Sequence, residues 1–335
     1  MDDTLLLKDL KGNRFFDDLK YIFSRIKYEA SLRRVRVVLV LNPRSSQAKN
    51  VEREVLYPIN QYIFVNRKTS NVTILKFEVL PTDVDDNAER LASILKDEDI
   101  MLTIGGDGTA TIGVNAAFLS RKRILYYTIP YGNFNDIART TRRAKGKKVF
   151  ALEARINDEH FRFAMCYFTV GMLAKSTEIF DEKRIRERLR KRKKNLLFSL
   201  FELFKWFIGN RRQKFIPEFK YKINSELNEG LECDRASDIV VLNGVSMARV
   251  LRGGDYFKRK TFLLRISRMQ DFFRIGWFMI IGILWKVTGK TVNSTILYFD
   301  RKRNTGKMEI QAEGRSCRPS WPRPCRRARR GGTPG

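Results

Sequence analysis

A glycine-rich segment is the part of the sequence best suited to chemistry. Residues 105–109 read GGDGT between a predicted strand and a predicted helix. Glycines let the backbone turn tightly and approach a ligand closely, and the N–H groups at the start of a helix attract anions. Asp107 would repel a phosphate unless it binds a metal ion, accepts a proton or orients a donor. The alternative is a plain strand–helix turn in which Asp107 caps the helix.

Two further polar loops follow predicted strands. Residues 42–46 read NPRSS, and residues 130–139 read PYGNFNDIAR. The carboxyl ends of parallel strands share one edge of an open α/β sheet, and ligands bind at that edge. We therefore expect the three loops to meet and to form a phosphate site, with Arg44 available to the phosphates.

The pattern of apolar residues before residue 141 predicts the elements that would position these loops. The near-continuous apolar run at 35–41 suits a strand buried on both faces of a parallel sheet. Helix-like stretches then alternate with strand-like ones, at 47–63, 72–80, 84–96, 99–104, 110–119 and 124–129. Such alternation implies right-handed crossovers and layered packing. We predict an amphipathic lead-in over 1–32 and a three-layer α/β domain over 33–141.

Shorter β-like runs after residue 141 predict a second, mainly antiparallel domain over 142–314. The runs are 149–156, 161–170, 218–224, 238–243, 261–267 and 294–300. A helical insertion is predicted over 178–212, and an apolar helix over 270–287. Residues 315–335 are rich in Arg, Pro and Gly, lack periodicity and are predicted to form a disordered tail.

The net charge points to a polyanionic partner. The 335 residues carry a formal net charge of +29, from 66 basic and 37 acidic side chains. Such an excess favours nucleic acid, an anionic membrane or nucleotide phosphates. No RNA-recognition, KH or helix-turn-helix pattern is visible, so we expect no specific nucleic acid partner. A nucleic-acid-binding protein is kept as the alternative from a different class.

The cysteine and histidine content argues against two kinds of site. The four cysteines form no CxxC pair, and His160 is the single histidine. Neither a zinc site nor a histidine-based triad is therefore expected. No signal peptide is recognisable, and the longest apolar run, 275–285, is too short to span a bilayer. With reduced thiols, these features predict a cytoplasmic protein.

A basic segment followed by an apolar one predicts contact with a membrane. Residues 183–194 contain nine basic side chains and one acid, and residues 196–208 are rich in Leu and Phe. Cationic and aromatic residues side by side suit an interfacial anchor on the anionic inner face of the membrane. The alternative is a solvated charged helix followed by a core helix. Whether the protein forms a homodimer is left open.

The three loops together resemble the catalytic domain of diacylglycerol kinases, bacterial soluble lipid kinases, and sphingosine and ceramide kinases. The resemblance covers residues 35–314 and rests on NPRSS, GGDGT and PYGNFNDIAR occurring in that order. It implies an ATP-binding α/β domain, a β-sandwich lipid-substrate domain, and ATP, Mg²⁺ and a lipid hydroxyl as reactants. NAD kinases share GGDGT, so an NAD kinase is the alternative phosphotransferase.

The resemblance also implies roles for individual positions. Those implied to contact ATP are Asn42, Pro43, Arg44, Ser45, Ser46, Thr82, Gly105, Gly106, Asp107, Gly108, Thr109, Ala110, Thr111 and Asn133. Those implied to organise the third loop are Gly132, Asn135 and Asp136. Asp107 and Glu313 are the implied catalytic carboxylates, one of which would deprotonate the lipid hydroxyl as it attacks the γ-phosphate. The metal ligands remain unassigned.

The sequence departs from the family pattern at several positions. Ser46 stands where the first loop usually ends in glycine. Glu313 and Arg315 replace the acidic residues of the C-terminal Asp-Gly-Glu segment, and the Asp-Gly segment expected after residues 253–254 has no clear match. A catalytically impaired lipid-binding relative is therefore a third alternative. The acceptor stays open among diacylglycerol, a sphingoid base, ceramide and phosphatidylglycerol.

Overall fold

The computed structural model of the chain describes most of its first half and mainly the strands of its second half. The described residues are 12–45, 48–65, 71–132, 135–144, 151–156, 159–171, 185, 201–202, 205, 219–225, 228–236, 238–242, 246–247, 251–252, 260–266, 297–303 and 308–313. Predictions for several features fall outside them: Ser46, Asn133, the start of the lead-in, almost all of 183–194 and 196–208, the apolar helix at 270–287 and the tail at 315–335.

The chain divides into two compact units, and the described residues from 12 to 166 belong to the first. Helices and strands alternate along it. They are α1 (Phe16–Leu32), β1 (Val35–Leu41), α2 (Ala48–Val51), a π-helical turn (Glu52–Leu56), α3 (Tyr57–Val65), β2 (Val72–Glu78), α4 (Val84–Ile94), β3 (Ile100–Gly105), α5 (Asp107–Leu119), β4 (Leu125–Pro130), α6 (Asp136–Ala144), β5 (Leu152–Ile156) and β6 (Glu159–Ala164).

Strands β1 to β4 form one parallel sheet in the order β2-β1-β3-β4. Successive side chains of a strand point to opposite faces of its sheet, and β1 buries both sets. Val37 and Leu39 join a cluster with α1 and α3, while Val38 and Val40 join another with α4 and α5. Helices thus cover both faces, and the predicted three-layer α/β domain is confirmed.

The predicted amphipathic lead-in contributes a helix to this core. The side-chain Oδ1 of Asn13 accepts the N–H of Phe15 (2.8 Å), and α1 follows directly. Leu19 and Ile26 are fully buried, and the ring of Phe23 stacks on that of Tyr62 with centroids 4.1 Å apart. Each large apolar side chain buried in this way contributes about 1.5–3 kcal/mol. Helix α1 therefore forms part of one outer layer.

A buried ion pair fixes the end of the sheet opposite to the three loops. The Nε of Arg36 on β1 donates to Oδ1 of Asp99 (2.9 Å), and the Lys96 N–H donates to Oδ2 of Asp99 (2.7 Å). Asp99 is 2% exposed. Removing one partner of such a pair leaves a buried charge without compensation. The pair therefore holds β1 and the start of β3 in register.

The hairpin β5–β6 packs on helix α5. The side-chain amide of Asn115 donates to the carbonyl of Phe163 (2.9 Å), and the Phe163 N–H donates to Oδ1 of Asn115 (2.8 Å). The rings of Phe118 and Phe163 stack with centroids 4.5 Å apart. The hairpin thus belongs to the unit that contains the parallel sheet. The predicted division of the chain at residue 141, which assigned the hairpin to a second domain, stays a prediction.

The second unit contains antiparallel strands. They are β7 (Tyr167–Gly171), β8 (Phe219–Ser225), β9 (Asn228–Ala236), β10 (Asp238–Leu242), β11 (Ser246–Met247), β12 (Leu251–Arg252), β13 (Lys260–Ile266), β14 (Leu297–Arg303) and β15 (Met308–Glu313). Two of its sheets have the orders β14-β13-β10-β7 and β15-β8-β9, with antiparallel neighbours throughout. That these sheets stack as a sandwich stays a prediction.

Helices long and apolar enough to cross a bilayer are absent from the part of the chain that the structure describes.

Candidate functional site

The strand order of the parallel sheet reverses at β1 and β3. Strand β1 lies between β2 and β3, so the chain leaves β1 toward one side of the sheet and leaves β3 toward the other. Ligands of open α/β sheets bind in the crevice that such a reversal creates. The loop after β1, residues 42–45, and the turn after β3 at Gly105 and Gly106 follow the two strands at this reversal.

The second and third loops touch through their glycines. A Cβ on Gly132 would lie 2.4 Å from the Cα of Gly106, and one on Gly106 would lie 3.1 Å from the Cα of Gly132. The Tyr131 N–H donates to the carbonyl of Gly105 (2.7 Å). Side chains are therefore excluded from this contact, and the two backbones meet directly.

Asn135 closes the third loop upon itself. Its φ of 55° lies in the left-handed region, which asparagine tolerates better than most residues. Oδ1 of Asn135 accepts the Gly132 N–H (2.9 Å), and its Nδ2 donates to the Gly132 carbonyl (2.7 Å). One side chain thus holds both polar groups of the glycine that contacts the second loop.

The carboxylate of Asp107 caps a helix other than its own. Asp107 is the first residue of α5, but its Oδ1 accepts the Ile137 N–H (3.0 Å) at the start of α6. Asp136, 1% exposed and ion-paired with Arg139, lies beside it. Burial, and then the negative charge of Asp136, raise the pKa of Asp107 to about 6. Asp107 therefore joins the second and third loops, and its pKa lies well above that of an ordinary aspartate.

A buried polar layer lies under Asp107. The Tyr126 hydroxyl donates to the Ala110 carbonyl (3.1 Å) and lies 3.0 Å from Oγ1 of Thr103. The thiol of Cys166 lies 3.4 Å from Oγ1 of Thr140. Burial raises the pKa of the Cys166 thiol and of the Tyr126 hydroxyl well above their ordinary values. Both groups therefore stay neutral.

The start of helix α5 is open toward the sheet edge. Its N-cap is Gly106, which has no side chain to cap the helix, and a Cβ on Gly108 would meet nothing within 4 Å. First-turn N–H groups of a helix lack intrahelical partners and attract anions. By contrast, the side chains of Thr109 and Ala110 are buried, and Thr111 donates its hydroxyl to the Asp107 carbonyl (2.8 Å). The backbone at the start of α5 is thus the group placed to meet an anion.

The first loop is organised by Asn42 around a buried hydroxyl. The carbonyl of Asn42 accepts the Ser45 N–H (3.0 Å), and its Oδ1 accepts the Arg44 N–H (3.0 Å). In the part of the chain that the structure describes, the buried Oγ of Ser45 has no hydrogen-bond partner. A buried hydroxyl of this kind is costly unless something binds to it. Pro43, which lies between Asn42 and Arg44 in the sequence, is exposed.

Thr82 and Glu313 lie on other elements. Thr82 is exposed in the loop after β2, whose Leu80 carbonyl accepts a hydrogen bond from Nη2 of Arg44 (2.6 Å). The structure therefore connects that loop to the first loop. Glu313 belongs to the second unit, where it ends β15 opposite Lys220 on β8. Ser46 and Asn133 lie outside the described residues.

Glu54 and Tyr131 support the third loop and were not identified from the sequence. Tyr131 is fully buried, and its hydroxyl donates to Oε2 of Glu54 (2.8 Å). The same Oε2 lies 2.9 Å from Nε of Arg14. Glu54 sits in the π-helical turn, a distortion that is frequent at functional sites. The glutamate thus connects the residue beside Gly132 to the segment before α1.

Replacing Tyr131 with phenylalanine tests this support. The change leaves the ring in place and removes one hydrogen bond to a carboxylate, so we expect the free energy of unfolding to fall by about 1–3 kcal/mol. Urea denaturation followed by circular dichroism measures it. Tyr57→Phe is the matched control, since Tyr57 is 59% exposed, and should change stability by less than about 0.5 kcal/mol. Equal effects of the two changes would contradict the role of Glu54.

The described residues do not build a metal site of their own. Among them, no three His, Cys, Asp or Glu side chains gather closely enough to hold a metal ion. Mg²⁺ in phosphate-transferring proteins commonly takes one or two carboxylates and fills its other positions with substrate phosphates and water. The implied Mg²⁺ therefore has no site assigned to this part of the chain.

Comparisons with known proteins agree with this geometry. No curated protein matches the chain. Two similar solved structures are of candidate diacylglycerol kinases from Bacillus anthracis str. Sterne; each is 16% identical over 84% of this chain and 87% of the other, with TM-scores of 0.50 and 0.51. At this identity the likeness concerns the fold. The family model described as the diacylglycerol kinase catalytic domain matches residues 36–167. The resemblance to that catalytic domain is thus confirmed for the part of the chain that carries all three loops.

Proposed function

We propose that the chain is an ATP-dependent lipid kinase, which transfers the γ-phosphate of ATP to a hydroxyl of diacylglycerol or a related lipid. The observation that carries this proposal is the contact between Gly106 and Gly132, beside the reversal of strand order. It joins two of the three loops at the open start of α5. The family match over residues 36–167 supports a kinase of this type.

The donors at the sheet edge suit the phosphates of a nucleotide. The first turn of α5 offers N–H groups and the positive end of the helix dipole. Ser45 offers a buried hydroxyl that has no partner among the described residues. Arg44, held near this loop through the Leu80 carbonyl, adds positive charge. The phosphates of a nucleotide would satisfy the first-turn N–H groups and the positive charge of Arg44.

Asp107 is the carboxylate we propose to act on the lipid hydroxyl, with Glu313 as the second implied acid. A pKa of about 6 leaves Asp107 mostly ionised at pH 7 yet basic enough to receive a proton. Its hydrogen bond from Ile137 fixes its orientation. Mg²⁺ bound to the nucleotide would neutralise phosphate charge. Positioning by the loops supplies most of the acceleration in phosphoryl transfer.

The lipid that would accept the phosphate lies in a membrane, so the protein must reach a membrane surface. We propose peripheral association with an anionic cytoplasmic membrane face and a role in phospholipid synthesis. The net charge of +29 and the nine basic residues in 183–194 support this, since each basic side chain near such a surface contributes about 1 kcal/mol.

A phosphorylation assay tests the function. The full chain is incubated with γ-labelled ATP and anionic vesicles that carry diacylglycerol, a sphingoid base, ceramide or phosphatidylglycerol, with NAD as a soluble acceptor. We expect label in the organic extract, and about 10-fold less with Arg44→Ala, because a charge-assisted contact to phosphate is lost. Arg123→Ala is the matched control, since Arg123 is an exposed arginine beside Asp97 near the opposite sheet edge.

Three outcomes of this assay would overturn the proposal. Label in NADP would make the protein an NAD kinase. ATP binding and vesicle binding without label in any lipid would make it an impaired relative. Equal loss of activity in Arg44→Ala and Arg123→Ala would contradict the assignment of the phosphate site to the loop that contains Arg44.

A further inference from the structure

Asn87 is a buried polar residue beneath the loop after β2. It lies in α4 and is 0% exposed, although a position on the inner face of an amphipathic helix usually holds an apolar side chain. A buried amide is costly unless its donors and acceptor are satisfied. Its partners show why the position is polar. All of its shortest hydrogen bonds go to the segment from Leu80 to Asp83.

Two of these bonds fix the orientation of the amide. The Leu80 N–H, which can only donate, lies 2.8 Å from Oδ1 of Asn87. The Asp83 carbonyl, which can only accept, lies 2.8 Å from Nδ2. Exchanging the amide oxygen and nitrogen would place donor against donor and acceptor against acceptor. Nδ2 therefore faces the side of Asn87 where Thr82 lies.

The orientation of the amide determines what the Thr82 hydroxyl can do. Oγ1 of Thr82 lies 2.9 Å from Nδ2 of Asn87. Because Nδ2 is a donor, Oγ1 must accept this hydrogen bond, and the hydroxyl hydrogen must point to another acceptor. Thr82 is exposed, so that acceptor can come from solvent or from a ligand.

The same segment is joined to the first loop. The Leu80 carbonyl accepts from Nη2 of Arg44 (2.6 Å) and lies 3.3 Å from Nδ2 of Asn87. Arg44 belongs to the loop whose buried Ser45 hydroxyl lacks a partner among the described residues. The loop after β2 is thus tied to the candidate phosphate site.

We propose that Asn87 is a positioning residue that turns the hydroxyl hydrogen of Thr82 toward a phosphate of the bound nucleotide. This inference rests on the proposed function, because it requires a nucleotide at the sheet edge. Asn87 itself does not touch the nucleotide. Because Nδ2 of Asn87 donates to Oγ1 of Thr82, the Thr82 hydroxyl hydrogen stays available for a hydrogen bond to the nucleotide.

Asn87→Asp reverses the polarity of this contact with little change in shape. The carboxylate still accepts the Leu80 N–H, but it also accepts the hydrogen of Thr82 and withdraws it from the ligand. Its second oxygen faces the Asp83 carbonyl, which can only accept, so the melting temperature should also fall. Calorimetric titration of the full chain with ATP is expected to show about 10-fold weaker binding, the loss of one hydrogen bond to a charged group. Thr82→Val should also weaken binding about 10-fold, and it should lower the melting temperature, because it takes an acceptor away from the buried Nδ2 of Asn87.

The double variant separates positioning from general loosening of the loop. If Asn87 acts through Thr82, Asn87→Asp combined with Thr82→Val binds ATP about 10-fold more weakly than wild type, no worse than either single change. Asn115→Asp is the matched control, because Asn115 is another buried amide, 2% exposed, that holds the β5–β6 hairpin. It should lower the melting temperature and leave ATP affinity within about 2-fold.

The outcomes are distinguishable. Additive effects, about 100-fold in the double variant, would assign Asn87 a structural role and overturn the inference. Wild-type affinity in Thr82→Val would overturn it even if Asn87→Asp failed to fold. Wild-type protein that binds no ATP would overturn the inference and the proposed function together, whereas intact ATP binding with no lipid phosphorylation would overturn the lipid kinase function alone.

Discussion

Replacing Asp107 with asparagine is expected to lower kcat/KM for lipid phosphorylation by about 10²–10⁴-fold, the contribution of a general base, while stabilising the fold at pH 8. The amide keeps an oxygen that can accept the Ile137 N–H, so the contact between the second and third loops survives. It cannot accept a proton from the lipid hydroxyl. Loss of activity in a more stable protein would separate the chemistry of Asp107 from its structural role.

The stability gain follows from the sign of the pKa shift. Burial and the neighbouring Asp136 raise the pKa of Asp107 from 3.8 to about 6, so the folded state favours the protonated acid. Its stabilising contribution is complete below pH 3.8 and is lost as the pH rises through about 6. Ionised Asp107 therefore costs as much as about 3 kcal/mol at pH 8, and the asparagine variant avoids this cost. Wild-type activity should fall as the pH drops below about 6, because the base is then protonated.

Melting temperatures between pH 4 and pH 8, together with kcat/KM, measure both effects. Asp97→Asn is a control of opposite sign, since hydrogen bonds from Arg123 hold the pKa of Asp97 below its ordinary value. Ionised Asp97 therefore stabilises the fold at pH values above its ordinary pKa. This contribution is lost as the pH falls through the lowered pKa of the folded state. The control should leave activity unchanged. An Asp107→Asn variant with wild-type kcat/KM would show that this carboxylate only caps α6.

The layers and loops of the first unit could be predicted because local signals determine them. The near-continuous apolar run at 35–41 suits a strand buried on both faces, and the structure places it inside the sheet. Once strands and helices alternate, strand-end loops must share an edge. The glycine-rich turn and the third loop therefore met as expected, even though residues 105 and 132 are far apart in sequence.

The contacts that refine the site could not be predicted, because they join residues whose types give no sign of pairing. Asp107 precedes a helix and reads as a cap for it, yet its partner is the Ile137 N–H, thirty residues later. Glu54 and Tyr131 lie 77 residues apart. Asn87 offered one signal, a polar residue on the inner face of a predicted amphipathic helix, but its partners depend on how the chain turns after β2.

Replacing Gly132 with alanine is expected to force the second and third loops apart. The new Cβ would lie 2.4 Å from the Cα of Gly106, and no rotamer can relieve a clash between two backbones. The loops must separate, which we expect to cost about 1–3 kcal/mol of stability, as overpacking does. Displacement by about 1 Å should lower kcat/KM at least about 10²-fold. Thermal unfolding and the lipid phosphorylation assay measure the two effects. A Gly132→Ala variant with normal activity would show that the site does not depend on the contact between Gly106 and Gly132.

Gly108→Ala is the matched change that decides what this contact serves. A Cβ at position 108 would meet nothing within 4 Å, and the residue lies in α5, where alanine is favoured over glycine by up to about 1 kcal/mol. The fold should therefore be as stable as wild type or more so. ATP affinity should nevertheless fall, because the Cβ enters the space beside the first-turn N–H groups that phosphates would occupy. Gly12→Ala, where the added Cβ also meets nothing within 4 Å, should change neither property. A stable Gly108→Ala protein that binds ATP normally would show that phosphates do not approach the start of α5, and the open helix end would then need another ligand.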